Sequence, residues 1–267
     1  MAHSSLLVAH CYVFRAASQE SMDSFEVVEF GPIDVAGQKS PIRLFNNEVS
    51  LKVADEILSG RTYPHVHFVK DIRTIVDVGA NIGAASIFFA FHYPQANIFA
   101  CEPASAPFSL LRQNVAVFPK VRAFPFGLYS CDKTISLYPG RNDSVESSIA
   151  PSDRTTTDAE TIQLRCAEGF VVAQELNPID ILKVDTEGCE FHILHSLRRF
   201  LPAIKLIYLE YHSDRDRRLI DLLLAETHSL WRGHADLIYR GELCYLNKKL
   251  VPNQETTYST EIVLPLD

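Results

Sequence analysis

The chain has 267 residues, 47% hydrophobic and 22% charged, with a formal net charge of −8. That length and apolar content suffice for one large folded domain and exclude wholesale disorder. The acidic balance excludes a nucleic-acid backbone as the main partner, because phosphate binding needs a basic footprint.

Cys11, Cys101, Cys131, Cys166, Cys189 and Cys244 form no C-x-x-C pair, so they read as buried thiols in a reducing compartment. His3 and His10 interrupt the apolar stretch Ser5 to Phe14 and no Lys or Arg precedes it, unlike a signal peptide. No apolar run reaches the length of a membrane span. The expectation is a cytoplasmic protein with no membrane or nucleic-acid partner. The sequence leaves the oligomeric state open.

In chain order, Phe25 to Phe30 and Pro41 to Phe45 read as short strands, and Ser50 to Leu58 as a helix ending at Gly60. Residues 1–70 are expected to be an N-terminal extension or cap, and residues 71–267 the main domain. From Thr74 the pattern changes. Thr74 to Val78 is an apolar run suited to a buried parallel strand. A helix over Ile82 to Tyr93, a strand at Asn97 to Cys101, a helix over Ala104 to Val117 and a strand at Val121 to Phe126 follow. Such alternation predicts a doubly wound α/β sheet.

Between Pro139 and Glu160 the apolar rhythm is lost, and a long loop is expected, flanked by hairpin strands at Ile135 to Tyr138 and Thr161 to Cys166. Order returns with a strand at Ile179 to Val184, a helix at Cys189 to Phe200, a strand at Ala203 to Glu210 and a helix at Asp214 to Thr227. Strands at Ala235 to Tyr239 and Leu243 to Leu246 close the domain.

The first strand runs into Asp77-Val78-Gly79-Ala80-Asn81-Ile82-Gly83. In an open α/β sheet, ligands bind beyond the carboxyl ends of the strands. Gly79 suits a sharp turn with close approach of a ligand, and Gly83 suits tight packing of the following helix. Asn81 stands where the dinucleotide fingerprint has its middle glycine, which disfavours a pyrophosphate. The second strand ends in Cys101-Glu102-Pro103, with Glu102 19 residues after Gly83, near the spacing at which an acid accepts ribose hydroxyls. Together these predict a nucleoside cofactor without phosphates.

The fourth strand of this domain ends in Ile181-Leu182-Lys183-Val184-Asp185-Thr186-Glu187-Gly188-Cys189-Glu190. Buried charge is costly unless paired or used, so this end points into the crevice. With V-D-V-G-A-N-I-G and C-E-P, it resembles the FkbM-type methyltransferases, as does Tyr208-Leu209-Glu210-Tyr211-His212. The likeness covers roughly residues 45–245.

The resemblance implies a Rossmann-like class I methyltransferase fold: a seven-stranded, mostly parallel sheet with helices on both faces and an antiparallel final hairpin. It implies S-adenosylmethionine as cofactor and a small-molecule acceptor, usually a hydroxyl of a metabolite, natural product or sugar. Asp77, Gly79, Asn81, Gly83 and Glu102 carry over as cofactor residues, with Asp185 beside the cofactor. Thr186 stands where an apolar residue is common. Asp185, Glu187 and His212 are the candidates for catalysis, His212 because its side chain ordinarily titrates near neutrality. No metal is assigned. His192 with His195, or Asp185 with Glu187, are the pairings that could hold one. An NAD-dependent oxidoreductase and a non-catalytic interaction module remain the alternatives.

Overall fold

The computed structural model describes residues 26–35, 38–138 and 159–250. Cys11, the stretch Ser5 to Phe14 and the expected loop from Pro139 as far as Asp158 lie outside the described residues.

Two antiparallel strands, β1 (Val27–Val35) and β2 (Gln38–Phe45), precede helix α1 (Glu48–Leu58). Asn47 caps α1, its side chain accepting from the Ser50 N–H at 2.7 Å. Alternation then follows: β3 (Thr74–Val78), α2 (Ala84–His92), β4 (Asn97–Cys101), α3 (Ser105–Asn114) and β5 (Val121–Phe124). A small sheet of β6 (Gly127–Tyr129), β7 (Lys133–Leu137) and β8 (Glu160–Cys166) comes next. After α4 (Ala167–Ala173) come β9 (Ile181–Val184), α5 (Glu190–Ser196), β10 (Leu206–Tyr211) and α6 (Asp214–Leu224). The hairpin β11 (His228–Leu237) and β12 (Arg240–Asn247) follows, and a 3-10 turn over Lys248–Leu250 ends the described residues.

The main sheet has seven strands in the order β11-β12-β10-β9-β3-β4-β5. From β10 to β5 neighbours run parallel, and the final hairpin is antiparallel, as expected. β3 and β9 sit mid-sheet, and their near-continuous apolar runs reflect burial on both faces. The order reverses beside β3, which opens the ligand crevice at the carboxyl ends of β3, β4, β9 and β10.

The N-terminal hairpin and α1 pack on the turn after β3 and on α3. Val28, Leu44 and Ala54 form one cluster with Ile82 and Leu110. Asn114 ties the hairpin to α3: its amide donates to the Arg43 and Ile82 carbonyls at 2.8 Å, and its oxygen accepts from the Arg43 N–H at 2.7 Å.

Several boundaries differ from expectation. The second helix starts at Ala84 because Gly83, at φ 92°, is its left-handed N-cap. A 3-10 turn over Leu201–Ala203 delays β10 to Leu206. β11 begins at His228, well before Ala235. It is an edge strand with exposed side chains, so no apolar alternation marks it. Of the five described cysteines, all unpaired, only Cys101 and Cys244 are buried; Cys131 is exposed. No described helix is long and apolar enough to cross a membrane.

Candidate active site

The turn after β3 is dictated first by its neighbour. Gly79 has φ 75°, and a Cβ added there would lie 1.7 Å from the backbone oxygen of Asp185. The glycine expected to admit a ligand is therefore demanded by the approach of β9's end. Asn81 follows at φ 49°, a conformation asparagine tolerates. Its N–H donates to Glu102 Oε2 at 2.8 Å, and the Ala104 N–H donates to Oε1 at 2.9 Å. Both oxygens are thereby oriented, each with acceptor capacity left. Burial pushes the Glu102 pKa up to about 7, against the pull of the Ala104 and Asn81 amides.

Behind this loop lies a buried ion pair. Lys183 Nζ is 3.2 Å from Asp77 Oδ1 and 3.5 Å from Asp185 Oδ2, and it also donates to the Gly79 carbonyl. Asp77 Oδ2 accepts from the Ser86 hydroxyl at 2.6 Å. Burial disfavours the ammonium, but Asp77 and Asp185 outweigh it and hold the Lys183 pKa above its ordinary value. Asp185 also accepts from the Tyr63 hydroxyl at 3.3 Å. Burial and the Glu210 charge push its pKa up, with Lys183 and His212 opposing.

A second charged group adjoins it. Glu190 is fully buried, and its Oε1 accepts from the Thr186 and Gly188 N–H groups at 3.1 and 2.9 Å. These bonds fold the loop after β9. The same oxygen lies 3.1 Å from His212 Nδ1. His212 Nε2 is 3.2 Å from Glu187 Oε2 and 3.4 Å from Glu210 Oε1, with no aligned hydrogen bond to either. Arg240 Nε donates to Glu210 Oε1 at 2.6 Å. Burial alone would lower the His212 pKa, but the bonded Glu190 carboxylate and the nearby Glu210 and Glu187 carboxylates push it up to about 11. Burial pushes Glu187 up to about 8 despite the opposing pull of His212.

These groups surround a cavity of about 670 Å³. Gly79, Asn81, Glu102, Asp185 and Glu187 line it, together with Glu210 and Tyr63. Asp77, Gly83 and His212 do not. Asp77 is instead the buried counter-ion of Lys183, and a Cβ on Gly83 would meet Leu111 Cδ1 at 2.7 Å, so that glycine serves helix packing. The expectation that His212 titrates near neutrality is corrected: three carboxylates keep it protonated there. His192 packs on Tyr129 and Phe191, and His195 on Phe191.

Sequence reading missed Tyr63 and Arg240, which no local motif marks. It named Glu210 only as part of the strand end that carries the catalytic candidate His212. Their spacing of two is the signal available, since it puts both on one face of a strand.

A seven-stranded sheet with this order, and a glycine turn and acid at its central crevice, define a Rossmann-like α/β protein of the methyltransferase class. The methyltransferase FkbM domain model matches residues 77–232, and the chain belongs to that family. It is 32% identical over 151 residues to methyltransferase sdnD of Sordaria araneosa, across 45% of this chain and 58% of that protein. It is 29% identical over 154 residues to hexuronic acid methyltransferase AglP of Haloferax volcanii, across 56% and 60%. Identity to 2-O-methyltransferase NoeI of Sinorhizobium fredii is 24% over 196 residues, across 65% and 77%. The chain thus spans less than two thirds of the first two relatives.

The cofactor of this family is S-adenosylmethionine, and the residues present fit it. Glu102 offers two fixed carboxylate oxygens for a ribose diol. Asn81, where a phosphate site needs glycine, fits a donor without phosphates. The cavity volume is in the range of small-molecule sites.

Proposed function

We propose that this protein transfers a methyl group from S-adenosylmethionine to a hydroxyl oxygen of a small metabolite, natural product or sugar. One observation carries the reading: Glu102 and Asp185 line a single cavity, at the ends of β4 and β9 flanking the glycine turn. Bound S-adenosylmethionine supplies a methyl carbon already activated by its sulfonium. The chain's part is to position the acceptor and exclude water, which can be worth roughly 7–11 kcal/mol. Asp185 is the proposed proton acceptor. Its carboxylate reaches the cavity and is held by Tyr63 and Lys183. Glu187, beside it, is the proposed group that passes the proton outward. His212 is a positioning residue for Glu187 and Glu210.

Residues 1–70 are the proposed cap over a domain of 71–267. Support comes from α1, whose Val53 and Ile57 line the same cavity as Asp185 and Glu187. An oxygen acceptor accords with the carboxylates at the cavity wall, and the Sinorhizobium relative, a 2-O-methyltransferase, points the same way.

Calorimetry tests the cofactor assignment: S-adenosylmethionine and S-adenosylhomocysteine should bind and NAD should not. Binding of NAD alone would overturn it and favour an oxidoreductase. Donor binding without turnover on any hydroxylated acceptor would favour the non-catalytic module.

The proposed role of Glu102 has a pH signature. Only the ionised carboxylate accepts both ribose hydroxyls, and its pKa in the free protein is about 7. Donor affinity should therefore fall by up to about tenfold per pH unit below that value. Stability of the ligand-free chain runs the other way. A raised carboxylate pKa favours the folded state at low pH, a contribution lost as pH rises from 4.5 through about 7. Glu102→Gln should flatten the pH dependence of affinity; an unchanged slope in the folded variant would remove the ribose role.

A further inference from the structure

We propose that Asp185 and Glu210, which line the cavity, and His212 behind them form a divalent-cation site. Each offers a ligand atom, and the three atoms all lie within 4.8 Å of one another. Donors around one ion at about 2.1 Å stand roughly 3–4.3 Å apart, so small side-chain adjustments close the set. The three come from two parallel neighbours, the end of β9 and the end of β10, and the sheet therefore fixes their separation.

The histidine is prepared as a ligand. Metal-binding imidazoles commonly give their second ring nitrogen to a carboxylate, which sets ring orientation. Glu190 does this here: its side chain is 0% exposed and its Oε1 lies 3.1 Å from Nδ1. That leaves Nε2 directed at Glu210 and Glu187, buried and without a hydrogen-bond partner. Glu190 Oε2 is likewise buried with no partner. Acidic side chains outnumber basic ones in this group: Asp77, Asp185, Glu187, Glu190 and Glu210 face Lys183, Arg240 and His212. A divalent ion bound at Nε2 in place of its proton would add one positive charge to the group. Arg240 Nε donates to Glu210 Oε1 at 2.6 Å and so fixes the position of that carboxylate.

Two carboxylates and one imidazole suit Mn²⁺ or a similar ion of intermediate hardness. It would hold an acceptor hydroxyl oxygen next to Asp185 and lower the pKa of its proton. That use rests on the methyltransferase reading; the site itself does not.

The test is a Mn²⁺ titration of the chelator-treated full chain, followed by the electron paramagnetic resonance signal of free Mn²⁺, with and without S-adenosylmethionine. One Mn²⁺ should bind per chain, and Glu210→Gln and Asp185→Asn should each weaken binding by about tenfold or more. His212→Gln should do the same, with donor binding in chelator as its check of folding. No binding at millimolar Mn²⁺ overturns the site, as does equal affinity in the folded variants. Loss of Mn²⁺ on adding the donor also overturns it, because the donor's own cationic group then occupies the place. Donor binding in chelator without a Mn²⁺ site defeats this proposal alone. A Mn²⁺ site in a chain that never binds the donor defeats the methyl-transfer reading alone.

Discussion

Asp185→Asn should slow methyl transfer by about 10²–10⁴-fold, the range for a positioned proton acceptor. The amide keeps the shape of the carboxylate and removes its charge. Stability should hold or improve. Burial and Glu210 raise the Asp185 pKa, so the folded chain keeps this charge at some cost. That cost is absent at low pH, where the group is protonated in both states, and grows as pH rises through the raised pKa. Lys183 retains Asp77 as its partner in the variant, and Tyr63 can still donate to the amide oxygen. Melting temperature and single-turnover rate on one preparation separate the roles. A variant that keeps full rate but melts lower would move Asp185 from the chemistry to the scaffold, leaving Glu187 as the candidate.

Lys183→Met should cost about 3–5 kcal/mol of stability, the range for removing one member of a buried ion pair. The reason is Asp77. It is wholly buried mid-sheet, and Lys183 is the cation beside it. Methionine fills most of the space but leaves that buried carboxylate the Ser86 hydroxyl and no ammonium in place of Lys183. The Gly79 carbonyl loses a donor as well, so the turn that carries the proposed donor site should loosen. Adding Asp77→Asn to Lys183→Met should recover part of the loss. Urea midpoints for both single variants and the double variant give the coupling. A single-variant loss below about 1 kcal/mol would mean that the pair behaves like an exposed one.

Both effects turn on residues whose chemistry was only partly legible in the chain. Asp185 was visible because it ends an apolar run, where a charge must be paired or used. Glu102 was visible from its spacing after Gly83. The partners were not. Tyr63 lies 122 positions from Asp185, Lys183 lies 106 from Asp77, and Arg240 lies 30 from Glu210. No local pattern links such residues, because the sheet order brings them together. Gly79 shows the same limit from the other side. Its need for a positive φ could be anticipated, but the atom that forbids a side chain, the Asp185 carbonyl, belongs to another strand.

The α/β class and the position of the crevice followed from the order of residues, and the seven-stranded sheet from the family resemblance of its motifs. Parallel strands buried on both faces must be apolar throughout, and strand-to-helix turns need glycine at particular steps. Those are short-range demands that a linear pattern records. The extent of β11 escaped, because an exposed edge strand is held by its backbone pairing with β12 and needs no apolar alternation. The charge state of His212 escaped for a different reason. An imidazole's pKa is the sum of burial and surrounding charge, and Glu187, Glu190 and Glu210 reach it from two separate segments. Only the packed sheet sets those distances, and they turn an expected base into a fixed cation.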